Sequence, residues 1–321
     1  MTTRTPRQQQ QALQRDKLQQ ELMPIIRTGL EDDDVIEIMA NPNGEIWFDR
    51  LSCGVERTGM VFSETQIETI IGTIAHWHGV VVHREAPRLR AELPLDGSRF
   101  QGLLRPVSPP TFVIRKHLKQ VISLDEQVAA GTLTPAQAAT LHAAINARNN
   151  IAIVGGTLSG KTVLANTVID AMVQAFGESL RLVLIEDTYE LRCTAPNVVH
   201  LHTSDTVSTQ QLVQDALRLR PDRIIVGEVR GAEAWDLLKS WNTGHPGGVT
   251  TVHADTAPQA MDRLEALIEE AGIRPNPRIL ANTVHLIVQM VRMGSREWRV
   301  QEIVRCHGWN GHHYEFEGVS H

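Results

Sequence analysis

The chain has 321 residues, of which 42% are hydrophobic and 21% are charged, and these proportions exclude wholesale disorder. At roughly 100 to 200 residues per domain, this length predicts two domains. Residues 1–120 contain 15 Lys and Arg against 15 Asp and Glu, whereas residues 121–321 contain 16 against 22. Because nucleic-acid binding depends on clustered basic side chains, the acidic second half disfavours direct binding of DNA or RNA.

Cysteine spacing and hydropathy indicate where in the cell the protein is located. Cys53, Cys193 and Cys306 are widely scattered, which indicates neither a disulfide framework nor a cysteine metal site and fits a reducing cytosol. The start of the chain lacks the apolar core of a signal peptide, and no later run approaches the roughly 18 apolar residues of a membrane span. We therefore expect a cytoplasmic protein whose membrane association is peripheral, through partners.

The first part of the chain predicts an arm and a small domain. Residues 1–22 are Gln-rich and predict a polar helix or arm. Residues 23–116 predict an α+β domain, with strand-like runs such as EIWFD and GVVVHR and a helix near SETQIETIIGTIAHWHG. The prolines of LLRPVSPPTFVIRK favour an extended connection at its end, and we place a linker at 117–122.

Residues 123–321 alternate strand and helix signals. The runs IAIV, LVLI, RIIVG, VTTVH and HLIVQMV lack the alternation of half-exposed strands and predict buried ones. Between the last two, Thr256 is a candidate N-cap, Pro258 lies in the first helical turn and Gly272 ends the helix. This order predicts a mostly parallel sheet covered on both faces.

The stretch GGTLSGKT fits the pattern G-x-x-x-x-G-K-[ST] and lies between a predicted strand and a predicted helix. In such a loop, backbone N–H groups and the start of the helix surround a phosphate. Lys161 is predicted to bridge the β- and γ-phosphates of a nucleotide, and Thr162 to bind Mg²⁺. The residues predicted to bind the phosphates are Gly156, Thr157, Ser159, Gly160, Lys161 and Thr162.

Two carboxylates follow buried strands. Glu186 ends LVLIE and Glu228 follows RIIVG, and the carboxyl ends of parallel strands share one edge of a sheet. One carboxylate is expected to orient the attacking water and the other to hold the hydration shell of the metal. His253, at the end of VTTVH, is placed to contact a γ-phosphate oxygen or the catalytic glutamate.

Three arginines and two histidine clusters are further candidates for site residues. Arg99, Arg105 and Arg115 lie near the predicted linker, where guanidinium groups could reach a nucleotide, although most arginines pair with carboxylates. The clusters HWHGVVVH and CHGWNGHH match no familiar zinc spacing, so we favour no metal at either.

Four boxes in this order, GGTLSGKT, IEDTYEL, LRLRPDRIIVGEVRG and WNTGHPGGVTTVHA, resemble the secretion and traffic ATPase superfamily. The likeness is strongest to the TrbB-type ATPases of conjugative transfer and spans residues ~25 to 310 in outline. It implies a RecA-like ATPase domain after a smaller α+β domain, and a homohexamer on inner-membrane secretion machinery. It also implies ATP and Mg²⁺, with Glu228 as general base, Glu186 in the acidic box and His253 in the histidine box.

The chain departs from the family pattern at Leu158, where the family usually has glycine. If this position requires a positive φ, leucine costs about 1 to 2 kcal/mol of strain. Gly227 stands where many P-loop proteins have a magnesium-binding Asp, which leaves the metal to Thr162 and to Glu186 through water.

Other functions remain open at this point. A pilus-retraction or type II secretion ATPase has a similar sequence. A nucleotide-gated scaffold with little turnover is suggested by Leu158. A P-loop kinase lacks a recognisable lid for a second substrate.

Overall fold

The structure, a computed structural model, describes Leu18, Leu22 and residues 24–116, 121–204, 206–294 and 297–318. The chain divides into two compact units between Lys119 and Gln120. Residues 117–120 of the predicted linker, and the predicted arm apart from Leu18 and Leu22, lie outside the described residues.

The N-terminal unit contains one antiparallel sheet of six strands in the order β3-β2-β1-β6-β5-β4. Helices α1 and α2 contribute Ile26 and Ile70 to its core, which also contains Phe48. The elements are α1 (Pro24–Glu31), β1 (Val35–Ala40), β2 (Glu45–Arg50), β3 (Gly54–Val61), α2 (Glu64–Trp77), β4 (Arg88–Glu92), β5 (Arg99–Leu103) and β6 (Thr111–Arg115).

Local sequence accounts for most of this unit, with two differences. Ser63 and Gln66 form a capping box that starts α2 where the helix is predicted. The prediction of a strand at GVVVHR is wrong: Val81 is 77% exposed, and only an isolated bridge joins His83 to Ala86. In the part of the chain that the structure describes, this run pairs with no strand of the sheet. Residues 111–115, predicted as a connection, are extended but form the central strand β6.

The second unit contains a sheet of eight strands in the order β14-β13-β12-β7-β11-β10-β8-β9. The six strands from β12 to β9 are parallel, and β12, β13 and β14 pair antiparallel. Its elements are α3 (Leu124–Ala129), α4 (Pro135–Asn146), β7 (Ile151–Val154), α5 (Lys161–Phe176), β8 (Leu182–Glu186), β9 (Val198–His202), α6 (Thr209–Ala216), β10 (Arg223–Val226), α7 (Glu233–Asn242), β11 (Val249–Val252), α8 (Ala257–Glu270), α9 (Pro277–Thr283), β12 (Leu286–Arg292), β13 (Trp298–Trp309) and β14 (Tyr314–Gly318).

Both faces of this sheet are buried. Successive residues of β7 point to opposite faces, so that Ala152 and Val154 join one core cluster and Ile151 and Ile153 join the other. The prediction of a mostly parallel sheet covered on both faces is confirmed, as are its five predicted strands. Strands β9, β13 and β14 were not predicted. The helix capped by Thr256 is also confirmed as α8.

Asn150 joins the loops that precede three adjacent strands. Its side-chain Oδ1 accepts hydrogen bonds from the N–H groups of Gly247 and Gly248, and its Nδ2 donates to the carbonyl of Thr283. Its backbone N–H donates to Nδ1 of His285 over 2.9 Å. Asn150 is fully buried, and its polar atoms fix the amino ends of β7, β11 and β12 relative to one another.

Within the described residues, none of the helices has the length and apolar character needed to cross a lipid bilayer.

Candidate nucleotide-binding site

The loop between β7 and α5, residues 155–160, forms a glycine-dependent turn at the carboxyl end of the central strand. Gly155 has φ +153° and Gly160 has φ +87°, both in the region that favours glycine. A Cβ on Gly155 would overlap the carbonyl oxygen of Met290 and the hydroxyl of Ser159. Among the described residues, no side chain caps α5, so its first N–H groups are directed at the loop as donors for an anion.

Leu158 adopts the conformation that would strain a leucine. Its φ is +61°, so the positive φ that the sequence raised as a condition for strain is present. The residue is 54% exposed. Its carbonyl oxygen accepts a 2.9 Å hydrogen bond from Nε1 of Trp298, which begins β13. A side-chain donor from the β12–β13 region therefore holds the strained peptide in place.

Lys161, His253 and Glu228 form one chain of contacts at this edge of the sheet. Nζ of Lys161 donates to the carbonyls of Gly155 and Gly156 over 2.9 and 2.7 Å and lies 3.4 Å from Nδ1 of His253. Nε2 of His253 lies 2.8 Å from Oε1 of Glu228, in ion-pair contact without the angles of a normal hydrogen bond. Burial lowers the pKa of Lys161, and burial together with Lys161 lowers the pKa of His253.

Arg230 links the two acidic segments. Its guanidinium donates to Oε2 of Glu228 and, over 2.8 Å, to Asp187 just after β8. Thr251 of β11 donates to the carbonyl of Gly227, which fixes the backbone next to Glu228. The loops after β8 and β10 are thus joined at the side chain predicted to act as base.

Glu186 is held by the loop that follows its own strand. It is 4% exposed, and its Oε2 accepts hydrogen bonds of 2.7 Å from the N–H groups of Glu190 and Leu191. Burial raises the pKa of Glu186 to about 7. Thr162 at the start of α5 donates to Oε2 of Glu190 over 3.2 Å. The acidic segment therefore reaches Thr162 through Glu190, which was not predicted as a site residue.

An open cavity of about 530 Å³ adjoins the loop. Gly156, Thr157 and His253 line it together with Asp255 and Arg263. Ser159 does not line this cavity. It is a buried residue of the loop, and its hydroxyl has no hydrogen-bond partner among the described residues.

Comparison with known proteins assigns the family. Residues 92–317, more than half of the chain, match the family described as Type II/IV secretion system protein. The chain belongs to the Type II/IV secretion system protein family. The resemblance stated from the four boxes is thereby confirmed, and with it the prediction of a P-loop ATPase.

Two curated relatives of this family member match over nearly their whole length. The probable conjugal transfer protein TrbB of Sinorhizobium fredii is 47% identical over 302 residues, which cover 94% of this chain and 92% of the relative. The conjugal transfer protein TrbB of Rhizobium radiobacter is 46% identical over 302 residues, covering 94% and 93%. In fold, the chain is similar to the ATPase DotB of Yersinia pseudotuberculosis, with a TM-score of 0.60, 16% identity and coverage of 95% and 80%.

The three predicted arginines of this secretion-family protein all lie in the N-terminal unit. Arg105 pairs with Glu64 over 2.7 Å, and Arg115 of β6 pairs with Glu37 of β1. Arg99 begins β5. Their contact with a nucleotide stays a prediction.

Several polar residues at this loop and at the strand ends beside it were not predicted from the sequence as site residues. Arg230 and Trp298 were not predicted as site residues. Glu190 lies inside the recognised box IEDTYEL, which is the one signal that could have identified it. The histidine clusters are engaged elsewhere: His78 contacts the carbonyl of Glu92 over 2.8 Å, and His307 pairs with Glu317 over 2.7 Å.

Proposed function

We propose that this protein hydrolyses ATP with Mg²⁺ as a homohexameric motor at the cytoplasmic face of the bacterial inner membrane, where it powers conjugative type IV secretion. The contact chain from Lys161 through His253 to Glu228, beside the uncapped start of α5, supports the hydrolysis. The names of the two rhizobial relatives support the role in conjugation.

The phosphate groups of ATP fit the loop for two reasons. Gly155 leaves no room for a side chain and Gly160 has a positive φ that favours glycine, so the peptide N–H groups of the loop can approach an anion closely. Lys161 is buried beside the carbonyls of Gly155 and Gly156, where burial lowers its pKa, and a nearby phosphate would raise that pKa again. Gly156, Thr157, Ser159 and Gly160 would donate backbone N–H groups, and Lys161 would bind the terminal phosphates.

The side chains at the start of α5 also fit Mg²⁺, which prefers oxygen ligands and keeps several waters. Thr162 offers a hydroxyl, Glu186 offers a carboxylate at the end of β8, and Glu190 offers one on the loop that follows. Thr162 would bind the metal directly, and Glu186 would act through water. When bound, Mg²⁺ neutralises charge that develops on the phosphate oxygens.

Glu228 is the proposed general base. Arg230 holds Oε2, and Oε1 faces His253, so the carboxylate has a fixed direction at the edge of the sheet. It would accept the proton of the water that attacks the terminal phosphorus. His253 contacts both Glu228 and Lys161, so it would sense whether the position beside the lysine contains a phosphate.

Two substitutions test this assignment. Glu228→Gln keeps the shape of the side chain but removes its basicity, so we expect steady-state phosphate release to fall by at least about 100-fold while ATP still binds. Lys161→Ala should weaken ATP binding itself. Glu269→Gln, on the exposed face of α8, is the matched control and should behave as wild type. Normal phosphate release by Glu228→Gln would refute the assignment of Glu228 as the general base.

The assembly is tested separately by measuring the mass in solution with and without ATP. Six copies support a motor, since the family resemblance implies a homohexamer. A monomer under both conditions would remove the hexamer from the proposal without affecting the assignment of Glu228.

Leu158 favours a second candidate, a nucleotide-gated scaffold with little turnover. Its φ of +61° stores about 1 kcal/mol in the phosphate loop, which could slow the cycle of loop movements. Steady-state phosphate release by Leu158→Gly, compared with wild type, distinguishes the two candidates. A much higher rate of phosphate release in Leu158→Gly than in wild type favours the scaffold. Equal and substantial rates in the two proteins favour the motor.

A further inference from the structure

Three potential ligand side chains converge on one face of β8 and β9, outside the contact chain of Lys161, His253 and Glu228. Glu186 at the end of β8 is paired in register with His202 at the end of β9. His200 lies two residues earlier on the same strand and therefore on the same face. One ligand atom from each of the three residues lies within 4.8 Å of the others.

The polar atoms at the centre of this cluster lack hydrogen bonds. Oε1 of Glu186 and both ring nitrogens of His202 are buried without a hydrogen-bond partner in the described part of the chain. Oε1 of Glu186 and Nε2 of His202 are 4.0 Å apart, too far for a direct hydrogen bond. Orphaned buried polar atoms are rare in folded proteins, and each normally has a cause such as a bound ion or water.

The direction of the Glu186 carboxylate is already fixed. Two backbone N–H groups hold its Oε2, which leaves Oε1 on the side of His202. The ring of Tyr189 packs against the imidazole of His202 and restricts its rotation. Two of the three ligands are therefore preorganised, and the exposed His200 is the adaptable third.

We propose that Glu186, His200 and His202 bind one divalent transition-metal ion, for which Zn²⁺ is best suited. Two imidazoles and one carboxylate are a donor set that zinc uses with a fourth position left to water. Bonds of about 2.1 Å in tetrahedral geometry place donor atoms about 3.4 Å apart, so the observed spacing requires small side-chain shifts. Imidazole ligands disfavour Mg²⁺, so His200 and His202 distinguish this site from the proposed magnesium position at Thr162. Glu186 is shared by the two proposals, and zinc bound to it would displace its water-mediated contact with Mg²⁺.

Occupancy would join the edge strand β9 to β8 and would engage Glu186 Oε1 directly. The proposal does not depend on ATP hydrolysis, because the metal is bound by side chains of the nucleotide-free protein. Zinc binding and phosphate release can therefore fail independently.

The test is titration of Zn²⁺ into the full-length, nucleotide-free protein against a chromophoric chelator, with Mg²⁺ present throughout. We expect one tight zinc per chain in wild type and at least about 100-fold weaker binding in His200→Ala and in His202→Ala, because each loses a ligand. Co²⁺ in place of zinc should give the visible absorption of a tetrahedral site in wild type, and neither variant should show it.

The matched control is the double substitution His312→Ala with His313→Ala, which removes the exposed histidines between β13 and β14. This control should bind zinc as wild type does. The proposal is overturned if wild type binds zinc no more tightly than His200→Ala, or if binding is lost in the control instead. Because His200 is exposed, its variant gives an answer even if His202→Ala fails to fold.

Discussion

The indole N–H of Trp298 donates a 2.9 Å hydrogen bond to the carbonyl oxygen of Leu158, 140 residues earlier in the chain. The same indole lies over Gly160, where an added Cβ would be 3.2 Å from its Cδ1. Trp298 thus contacts the phosphate loop at two points, and it holds the one non-glycine residue there that has a positive φ.

Trp298→Phe keeps an aromatic ring at this position but removes the donor. Without this bond, the positive φ of Leu158 is about 1 kcal/mol less favoured in the free protein and must be restored when ATP binds, so we expect roughly fivefold weaker binding. Calorimetric titration of ATP measures this change. Trp309→Phe, at the other end of β13, is the control, and an unchanged Kd in Trp298→Phe would show that the bond does not support the loop.

Gly155 and Gly156 provide a matched pair for testing the conformation of the loop between β7 and α5. In Gly155→Ala, the methyl group overlaps Met290 and Ser159 at φ +153°, so we expect a loss of at least about 2 kcal/mol in unfolding free energy. In Gly156→Ala, the nearest heavy atom is 3.9 Å away, so stability should stay within about 0.5 kcal/mol of wild type. Urea unfolding of both variants gives the comparison, and equal stabilities would contradict the described loop.

Thr162 is expected to determine the magnesium requirement. Thr162→Val keeps the volume of the side chain but removes the hydroxyl, so the Mg²⁺ concentration for half-maximal phosphate release should rise at least about tenfold. Thr162→Ser retains the hydroxyl and should stay near wild type. A similar rise in both variants would point to packing rather than metal binding as the role of Thr162.

His285 should make stability depend on pH. Burial lowers its pKa, and its Nδ1 accepts the N–H of Asn150, a bond that only the neutral ring can make. Below the unfolded pKa of about 6.5, the unfolded chain gains a proton that the folded chain does not. The unfolding free energy should therefore decrease as the pH falls from about 6.5 towards the lower folded pKa.

His285→Gln removes this titration, so the slope of unfolding free energy against pH should be smaller than in wild type over the same window. Urea unfolding at a series of pH values measures both slopes. His312→Gln, in an exposed turn, controls for removal of an ordinary histidine, and a slope unchanged in His285→Gln would refute the prediction.

The buried parallel strands could be predicted because each is a short apolar run between turn or cap signals. β7, with the sequence IAIV, is apolar at every position because both faces of the sheet are covered. The antiparallel strand β13 mixes buried residues with exposed or half-buried ones and contains Arg, Gln, Glu and His, so its composition resembles a polar segment. The opposite error occurred at GVVVHR, where a strand was predicted and none forms. Its valines have strand propensity, but propensity without a neighbouring strand does not produce pairing.

For the site, motif spacing predicted which residues form the loop between β7 and α5, while contacts between residues of distant segments could not be predicted. Lys161 and Glu228 stand in recognisable boxes. Nothing in the sequence indicates that Trp298 would meet Leu158, or that His202 would be in register with Glu186, because register depends on the tertiary pairing of β8 and β9.

Strand order in the second unit has a consequence for synthesis. β7, which leads into the phosphate loop, lies between β11 and β12, and both of its neighbours are made later. A nascent chain that has emerged only as far as α8 lacks one of the two flanks of β7 and also lacks Trp298. The phosphate loop is among the earlier parts of this unit to be translated, yet its final shape depends on residues translated near the end.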